Sequence, residues 1–256
     1  MARVFITGSA DGLGLMAARL LVERGHEVTL HARNDARARD ARSALPAAGG
    51  VVVGDLSSIE ETRSVAEQAN ASGRFDAVIH NAGVGNREPR RIETVDGLEH
   101  IFSINALAPY LLTALITPPA RLVYLSSGLH RGGSPKLEDL QWADRAWNGH
   151  QAYCDSKLFD VTLAFAVARL WPETLSNSVE PGWVATKMGG RGATDDLALG
   201  AVTQAWLAVS EDPEATVTGG HFFHQEPCAT HPAVRDLSVQ SGLLAACAAL
   251  TDVEIS

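Results

Sequence analysis

The sequence predicts an α/β protein with a doubly wound parallel sheet, helices on both faces, in a single domain over residues 1–256. Three observations predict it. Short β-branched runs alternate with longer helical patterns almost from end to end. The strand runs are mostly continuous in apolar residues, as strands buried on both faces must be. A chain of 256 residues with 46% hydrophobic and 20% charged residues suits one large globular core and excludes a disordered or low-complexity protein.

In chain order, strands are expected at Val4–Thr7, Glu27–His31, Val51–Val53, Ala77–His80, Leu122–Leu125, Leu175–Val179 and His221–Phe223. Between the first two, Leu13, Met16, Ala17, Leu20 and Leu21 recur at helical spacing, with Gly25 as a C-cap. Further helices read at Ser58–Ala71, Leu98–Ile116, Ala152–Trp171 and Asp195–Val209, and a looser one at Ser238–Leu250. The irregular stretches Val84–Arg91, Gly128–Gly149 and Lys187–Asp195 each follow a strand end, where ligands bind in open α/β sheets. There is no internal repeat and no long linker.

The formal net charge is −9, from 21 basic and 30 acidic residues, and such a surface repels nucleic acid and anionic membranes. Basic residues cluster only at Arg33, Arg37, Arg39 and Arg42 and at Arg87, Arg90 and Arg91, enough for a small anion such as a phosphate. No apolar run is long enough to span a bilayer; Val161–Ala168 is typical. The start MARVFITG runs straight into a strand, without signal-peptide architecture. Cys154, Cys228 and Cys247 are too few and scattered for a disulfide framework or a zinc knuckle. The expected compartment is the cytoplasm.

The segment Thr7-Gly8-Ser9-Ala10-Asp11-Gly12-Leu13-Gly14 closes the first strand and opens the first helix. Its glycines allow a tight turn and close backbone approach to a pyrophosphate at a helix N-terminus, whose N–H groups favour an anion. At the end of the second strand, Leu30-His31-Ala32-Arg33-Asn34, the carboxylate that would bind ribose hydroxyls and select NAD is missing: Ala32 stands in its place. Arg33 follows, a guanidinium suited to a 2′-phosphate, so NADP(H) is the expected cofactor. The competing role for Arg33 is a helix cap or a solvated surface charge.

Tyr153-Cys154-Asp155-Ser156-Lys157 puts a phenol and an ammonium four residues apart, on one face of a helical run. A tyrosine, with an ordinary pKa of about 10, is a poor acid–base catalyst at neutral pH. A neighbouring cation stabilises the phenolate and makes proton transfer to a substrate oxygen feasible. Ser126 and Ser127 follow the apolar Leu122–Leu125 run at the edge that faces a ligand. Leu98, Ile101, Phe102 and Asn105 follow helical spacing, which puts an amide on a buried face. Pro109 has no N–H for the Asn105 carbonyl and should bend the helix there, freeing that carbonyl to hold a water.

Jointly, these elements resemble the short-chain dehydrogenase/reductase family over nearly the whole chain, in the order Thr7–Gly14, Asp55-Leu56, Asn81-Ala82-Gly83, Asn105, Ser127, Tyr153/Lys157 and Pro181-Gly182-Trp183-Val184-Ala185-Thr186. Thr94-Val95-Asp96-Gly97-Leu98-Glu99 and the long segment between Ser127 and Tyr153 resemble the retinol-dehydrogenase-like branch. The resemblance implies a Rossmann fold and hydride transfer between a nicotinamide cofactor and a carbonyl or alcohol. It implies Tyr153 as general acid/base, Lys157 on the nicotinamide ribose, Ser127 on the substrate oxygen and Asn105 on a relay water. By the same resemblance Gly8, Ser9, Asp11, Gly12, Leu13 and Gly14 form the pyrophosphate loop, and Asp55 and Leu56 flank the adenine. Asn81, Ala82 and Gly83 underlie the adenosine side, while Pro181, Gly182, Val184 and Thr186 hold the nicotinamide end. It also implies a homodimer or homotetramer built on the helix of Tyr153 and its neighbour. Two residues depart from the pattern: His80 replaces an asparagine of Asn-Asn-Ala-Gly, and Glu180 precedes Pro181-Gly182 where a small or neutral residue is frequent.

His221, His224 and His231 hint at a metal, but the odd spacing of His221 and His224 on a strand sends them to opposite faces, and no metal is expected. Cys154 reads as packing, Trp142, Trp147 and Trp183 as lining of a substrate cleft, and Arg87, Arg90 and Arg91 as a solvated loop. Two alternatives use the same residues: a nucleotide-sugar epimerase or dehydratase, for which an extra C-terminal substrate domain is missing, and a non-catalytic NADP(H)-sensing regulatory protein, which would not need all of Asn105, Ser127, Tyr153 and Lys157.

Overall fold

The computed structural model describes residues 1–85 and 87–255; Asn86, inside the expected Val84–Arg91 loop, and Ser256 lie outside the described residues. The apolar runs form β1 (Arg3–Ile6), β2 (Glu27–Ala32), β3 (Gly50–Val53), β4 (Ala77–His80), β5 (Arg121–Leu125), β6 (Leu175–Glu180) and β7 (His221–Phe223), within a residue of the expected bounds. An eighth strand, β8 (Glu226–Pro227), was not legible: two exposed residues carry no pattern. One sheet holds all of them in the order β3-β2-β1-β4-β5-β6-β7-β8, parallel except for the antiparallel β7–β8 hairpin.

Alternation across each strand divides the core. Phe5, Val78, Leu122 and Tyr124 face α3 (Ile59–Ala71), α5 (Ala108–Leu115), α6 (Gly149–Leu170) and α8 (Leu237–Thr251). Their neighbours Val4, Ile6, Ala77, Ile79, Val123 and Leu125 face α1 (Gly12–Glu23), α2 (Asp35–Ala44) and α7 (Val202–Val209). A doubly wound sheet needs this two-sided burial.

Three helical expectations change. The helix α2 was missed because its buried face is only Ala38 and Ala41, too weak an apolar stripe to register; its local signal is the Asn34 side chain, which accepts from Arg37 N. The expected helix Asp195–Val209 starts late, as a 3₁₀ turn at Leu199–Ala201 followed by α7, because Asp195 is bridged to Val184 and its carboxylate accepts from Trp183 N at 2.6 Å. The expected helix Leu98–Ile116 is broken into α4 (His100–Phe102), a π-helical turn Ser103–Leu107 and α5, with Pro109 at the start of α5. A proline there removes the N–H that would close onto Asn105, and the chain widens so that Ala108 N reaches Ser103 O instead.

In α6 every residue from Ala152 to Val167 is buried within the one chain. No helix among the described residues is long and apolar enough to cross a membrane.

Candidate active site

β1 and β4 are neighbours whose connections leave in opposite directions, so the loops after them open a crevice at the carboxyl edge. Thr7 and Asn81 lace these loops together. Thr7 Oγ1 accepts from Asn81 N and Ala82 N, each at 3.0 Å, and Asn81 Nδ2 donates to Thr7 O at 2.9 Å and Gly8 O at 3.1 Å. Gly8 (φ +61°) has no room for a side chain, since a Cβ would stand 2.7 Å from Ala82 Cα. Gly12 (φ +55°) points a virtual Cβ into open space at the mouth of α1. Asp11 precedes α1 without capping it, and Asn81 Oδ1 is buried without a hydrogen-bond partner. An uncapped helix N-terminus behind a side-chain-free cradle fits the pyrophosphate end of a dinucleotide.

His31 had no role in the sequence reading, yet it anchors this loop. Its Nδ1 accepts from Gly8 N at 2.9 Å, so Nε2–H donates to Gly54 O at 2.9 Å and ties the ends of β1 and β3 together. Burial pushes its pKa down to about 4, which keeps that single tautomer at neutral pH. Ser9 is spoken for inside: its hydroxyl donates to Ile6 O at 2.8 Å and accepts from His31 N at 2.9 Å. Asp11 bridges Arg37 of α2 and Lys187, the latter at 2.6 Å. Burial works against its ionisation, but the two cations outweigh it and hold the carboxyl below the usual range. Arg33 is exposed beside buried Ala32, and the helix cap is Asn34 rather than Arg33.

Further along the edge, Asp55 Oδ1 accepts from Ser57 N at 2.9 Å, while the Leu56 side chain is part of the core. Gly182 (φ +81°) turns the chain after β6 and Pro181, Val184 is buried, and Thr186 Oγ1 accepts from Gly189 N at 3.1 Å. A Cβ on Gly200 would meet Leu13 Cδ2 at 2.9 Å and Val184 Cγ1 at 3.2 Å, so these two side chains share one wall.

At the other end of the crevice α6 delivers Tyr153 and Lys157 one turn apart, with Lys157 Nζ 5.9 Å from the Tyr153 ring centre. Asn105 is fully buried: Oδ1 accepts from Val84 N at 2.8 Å, and Nδ2 donates to Val84 O at 3.1 Å and to Ser156 Oγ at 3.0 Å. Asn105 Oδ1 and Lys157 Nζ both border Gly83, 3.4 and 3.5 Å from where its Cβ would lie. Of the serine pair, Ser126 is buried and donates to Lys157 O at 2.8 Å, whereas Ser127 is half-buried and starts a 3₁₀ turn, its Oγ accepting from Leu129 N at 3.3 Å. Tyr153 packs with Ile101, Trp142 and Ala152, against Val84 and Trp147. Trp142 and Trp147 therefore belong to the apolar wall beside the phenol, while Trp183 is exposed over the Lys187–Asp195 loop.

Asp160 is the residue the sequence reading overlooked here. It is buried, and Lys157 Nζ donates to its Oδ2 at 2.7 Å as well as to Leu125 O at 2.7 Å. Burial holds Asp160 up at about 6 against the pull of Lys157. Its i+3 spacing from Lys157 was the available signal. His80 turns away from the crevice: it stacks on Tyr124 at 4.8 Å, shares a 3.2 Å hydrogen bond with Thr113, and burial pushes its pKa down to about 3. Cys154 is buried, and burial pushes its thiol up, away from reactivity. Arg91 pairs with Glu93 and donates to Gln141 O at 2.6 Å, a structural use.

Fold and site together define a doubly wound α/β protein that carries a Tyr-x-x-x-Lys pair near the sheet's carboxyl edge. The chain belongs to the short-chain dehydrogenase/reductase family: the family model described as short chain dehydrogenase matches residues 2–132. Similar proteins include the short-chain dehydrogenase chyC of Penicillium rubens, 42% identical over all of this chain and 99% of that one. Human retinol dehydrogenase 13 is 31% identical over 98% of this chain and 85% of its own length. Among solved structures, an uncharacterized protein from Mycobacterium Paratuberculosis superposes with a TM-score of 0.84, at 27% identity, over all of this chain and 95% of that one. The protein is an oxidoreductase of the retinol-dehydrogenase-like branch.

Proposed function

We propose that this oxidoreductase reduces a moderately hydrophobic ketone or aldehyde, and oxidises the corresponding alcohol, with NADP(H) as cofactor and Tyr153 as the general acid/base. The observation that carries it is the meeting of Asn105 and Lys157 at Gly83, with Lys157 Nζ 5.9 Å from the Tyr153 ring centre and an apolar Trp142/Trp147 wall packed beside that ring. Gly8, Gly12 and Gly14 would cradle the pyrophosphate, Arg33 would pair with the 2′-phosphate, and Val184 and Thr186 would hold the nicotinamide end. When bound, NADPH supplies the hydride. Ser127 Oγ donates to the substrate oxygen and fixes its position; Tyr153 gives that oxygen a proton; Lys157 holds the phenolate charge that results. Asn105 carries the water through which Lys157 recovers a proton from solvent. The test is NADPH consumption against aldehydes, aliphatic and aromatic ketones and diketones, with NADH in parallel. Turnover with NADPH is the expected result, and stoichiometric NADPH binding without turnover across the panel would overturn the proposal.

Cofactor choice rests on Arg33. A charge-assisted hydrogen bond to phosphate contributes about 1.5–3 kcal/mol. Arg33→Ala should therefore raise KM for NADPH roughly 10- to 100-fold while leaving NADH turnover unchanged. Equal loss with both cofactors, or a wild type indifferent between them, assigns Arg33 to the solvated surface.

Asp160 sets the electrostatics of the pair. Ionised above pH 6, it offsets part of the Lys157 charge that would stabilise a phenolate on Tyr153. Asp160→Asn keeps an acceptor for Lys157 Nζ but removes the negative charge. For alcohol oxidation, which needs the phenolate, the rising limb of log kcat/KM against pH should move to lower pH by about one unit, the size expected for one charge several ångströms away. A profile unmoved within experimental error would make Asp160 a packing residue.

A further inference from the structure

Three strand ends on the substrate side bring together groups that are far apart in sequence. His130 lies in the 3₁₀ turn after β5, Glu180 is the last residue of β6, and His221 is the first of β7. One ligand atom from each lies within 4.8 Å of the others, and all three residues are buried, at 0%, 7% and 3% exposure. Each imidazole is held through Nδ1. His130 Nδ1 donates to Ser127 O at 2.7 Å, and because a carbonyl can only accept, the neutral ring leaves a lone pair on Nε2. His221 Nδ1 shares a 2.8 Å hydrogen bond with Ser178 Oγ. Neither Nε2 has a hydrogen-bond partner, and His221 Nε2 stands 3.7 Å from Glu180 Oε2.

Buried nitrogens are costly to leave unpaired, about 1–3 kcal/mol each. A proton shared between His221 and Glu180 would satisfy that pair and leave His130 Nε2 orphaned. A metal dication satisfies all three. We propose that His130, Glu180 and His221 bind a transition-metal dication of the zinc type. Two imidazole nitrogens and one carboxylate are a recognised three-ligand set for such an ion, with a position left for water. The Nδ1 tethers supply the outer hydrogen bonds that orient metal-bound histidines. In a tetrahedral set, bonds of about 2.0–2.2 Å place ligand atoms roughly 3.3–3.6 Å apart, so the widest pair closes by up to about 1.4 Å through side-chain torsions as the ion enters. Arg131 Nη1 sits 3.3 Å from Glu180 Oε2, but its side chain is about half exposed, at 47%, and can swing into solvent as the ion enters. The fold reaches this cluster by a route absent from the local pattern: His221 partners residues of β5 and β6, not His224. The ion ties the ends of β5, β6 and β7 beneath the turn that carries Ser127.

The test uses the full chain, free of any affinity tag and stripped with chelator, titrated calorimetrically with Zn²⁺ and spectroscopically with Co²⁺, with no readout of turnover. One equivalent of Zn²⁺ should bind with micromolar or tighter Kd and raise Tm, and Co²⁺ should give the visible bands of a low-symmetry, few-ligand site. His130→Asn, His221→Asn and Glu180→Gln should each weaken binding at least 100-fold, whereas His224→Ala should leave it intact. Absence of a one-equivalent site in the native protein overturns the proposal. So does undiminished binding in folded His221→Asn or Glu180→Gln protein, the latter being nearly isosteric and kept for the case in which a histidine variant does not fold.

Discussion

Tyr153→Phe should lower kcat/KM for carbonyl reduction by about 100- to 10,000-fold, the range a positioned general acid supplies, while NADPH binding and Tm stay near wild type. The retained fold follows from the surroundings. The ring lies among Ile101, Trp142, Ala152, Val84 and Trp147, contacts that phenylalanine keeps. The residue is only 8% exposed, and the substitution removes no atom of the ring. What goes is the O–H, hence the proton donor at the substrate oxygen, and the phenolate that Lys157 would stabilise. The serine pair provides the companion control. Ser127→Ala should reduce turnover by removing a donor at the substrate. Ser126→Ala should instead act on stability, because that hydroxyl is buried and spent on Lys157 O. Steady-state kinetics in both directions, with NADPH affinity from nicotinamide fluorescence, separate these outcomes. A Tyr153→Phe variant that turns over at more than a tenth of the wild-type rate would remove Tyr153 from the chemistry and leave the family fold standing.

Why some of this was legible and some not comes down to where the information resides. Strands buried on both faces announce themselves as apolar runs, and glycines forced by close approach, such as Gly8 against Ala82, appear as motif residues because nothing larger fits. The break in the expected helix Leu98–Ile116 could be foreseen from Pro109, since a missing N–H is a local property; that the chain would answer with a π turn depends on what surrounds it. The helix α2 was invisible for the opposite reason, having two alanines for a buried face. His31 and the trio of His130, Glu180 and His221 escaped because their partners come from other strands and turns, whereas Asp160 carried a local signal in its i+3 spacing from Lys157 on the same helix. A histidine whose Nδ1 serves the β1 loop and whose Nε2 serves the end of β3 shows no pattern along β2. Glu180 did stand out as a departure from the family motif, and the fold supplies its reason: it faces two buried imidazoles and Arg131.

The glycines of the first loop give the largest expected effect on the protein itself, and two of them should fail in different ways. A Cβ at Gly14 would lie 2.4 Å from Asn81 Nδ2, 2.7 Å from Gly8 O and 2.9 Å from Ser9 Cα. Two of these three neighbours are backbone, and the third is the amide that laces the β1 and β4 loops, so nothing can yield cheaply. Gly14→Ala should cost about 1–3 kcal/mol of overpacking, with the Asn81 hydrogen bonds adding about 0.5–1.5 kcal/mol each if they break. In a domain of this size that lowers Tm by roughly 5–10 °C, and NADPH affinity falls with it because the cradle itself is displaced. At Gly12 a Cβ meets nothing, and the cost is the left-handed backbone alone, about 1–2 kcal/mol. That Cβ projects into the space an anion must enter at the α1 N-terminus. Gly12→Ala should therefore bind NADPH at least tenfold more weakly with a Tm within a few degrees of wild type, a loss of affinity without a matching loss of stability. Thermal unfolding and cofactor titration on the two variants decide it. If Gly12→Ala binds NADPH as tightly as wild type, the crevice between β1 and β4 does not hold the pyrophosphate. If Gly14→Ala leaves Tm unchanged, the lacing by Asn81 contributes far less to the fold than its geometry implies.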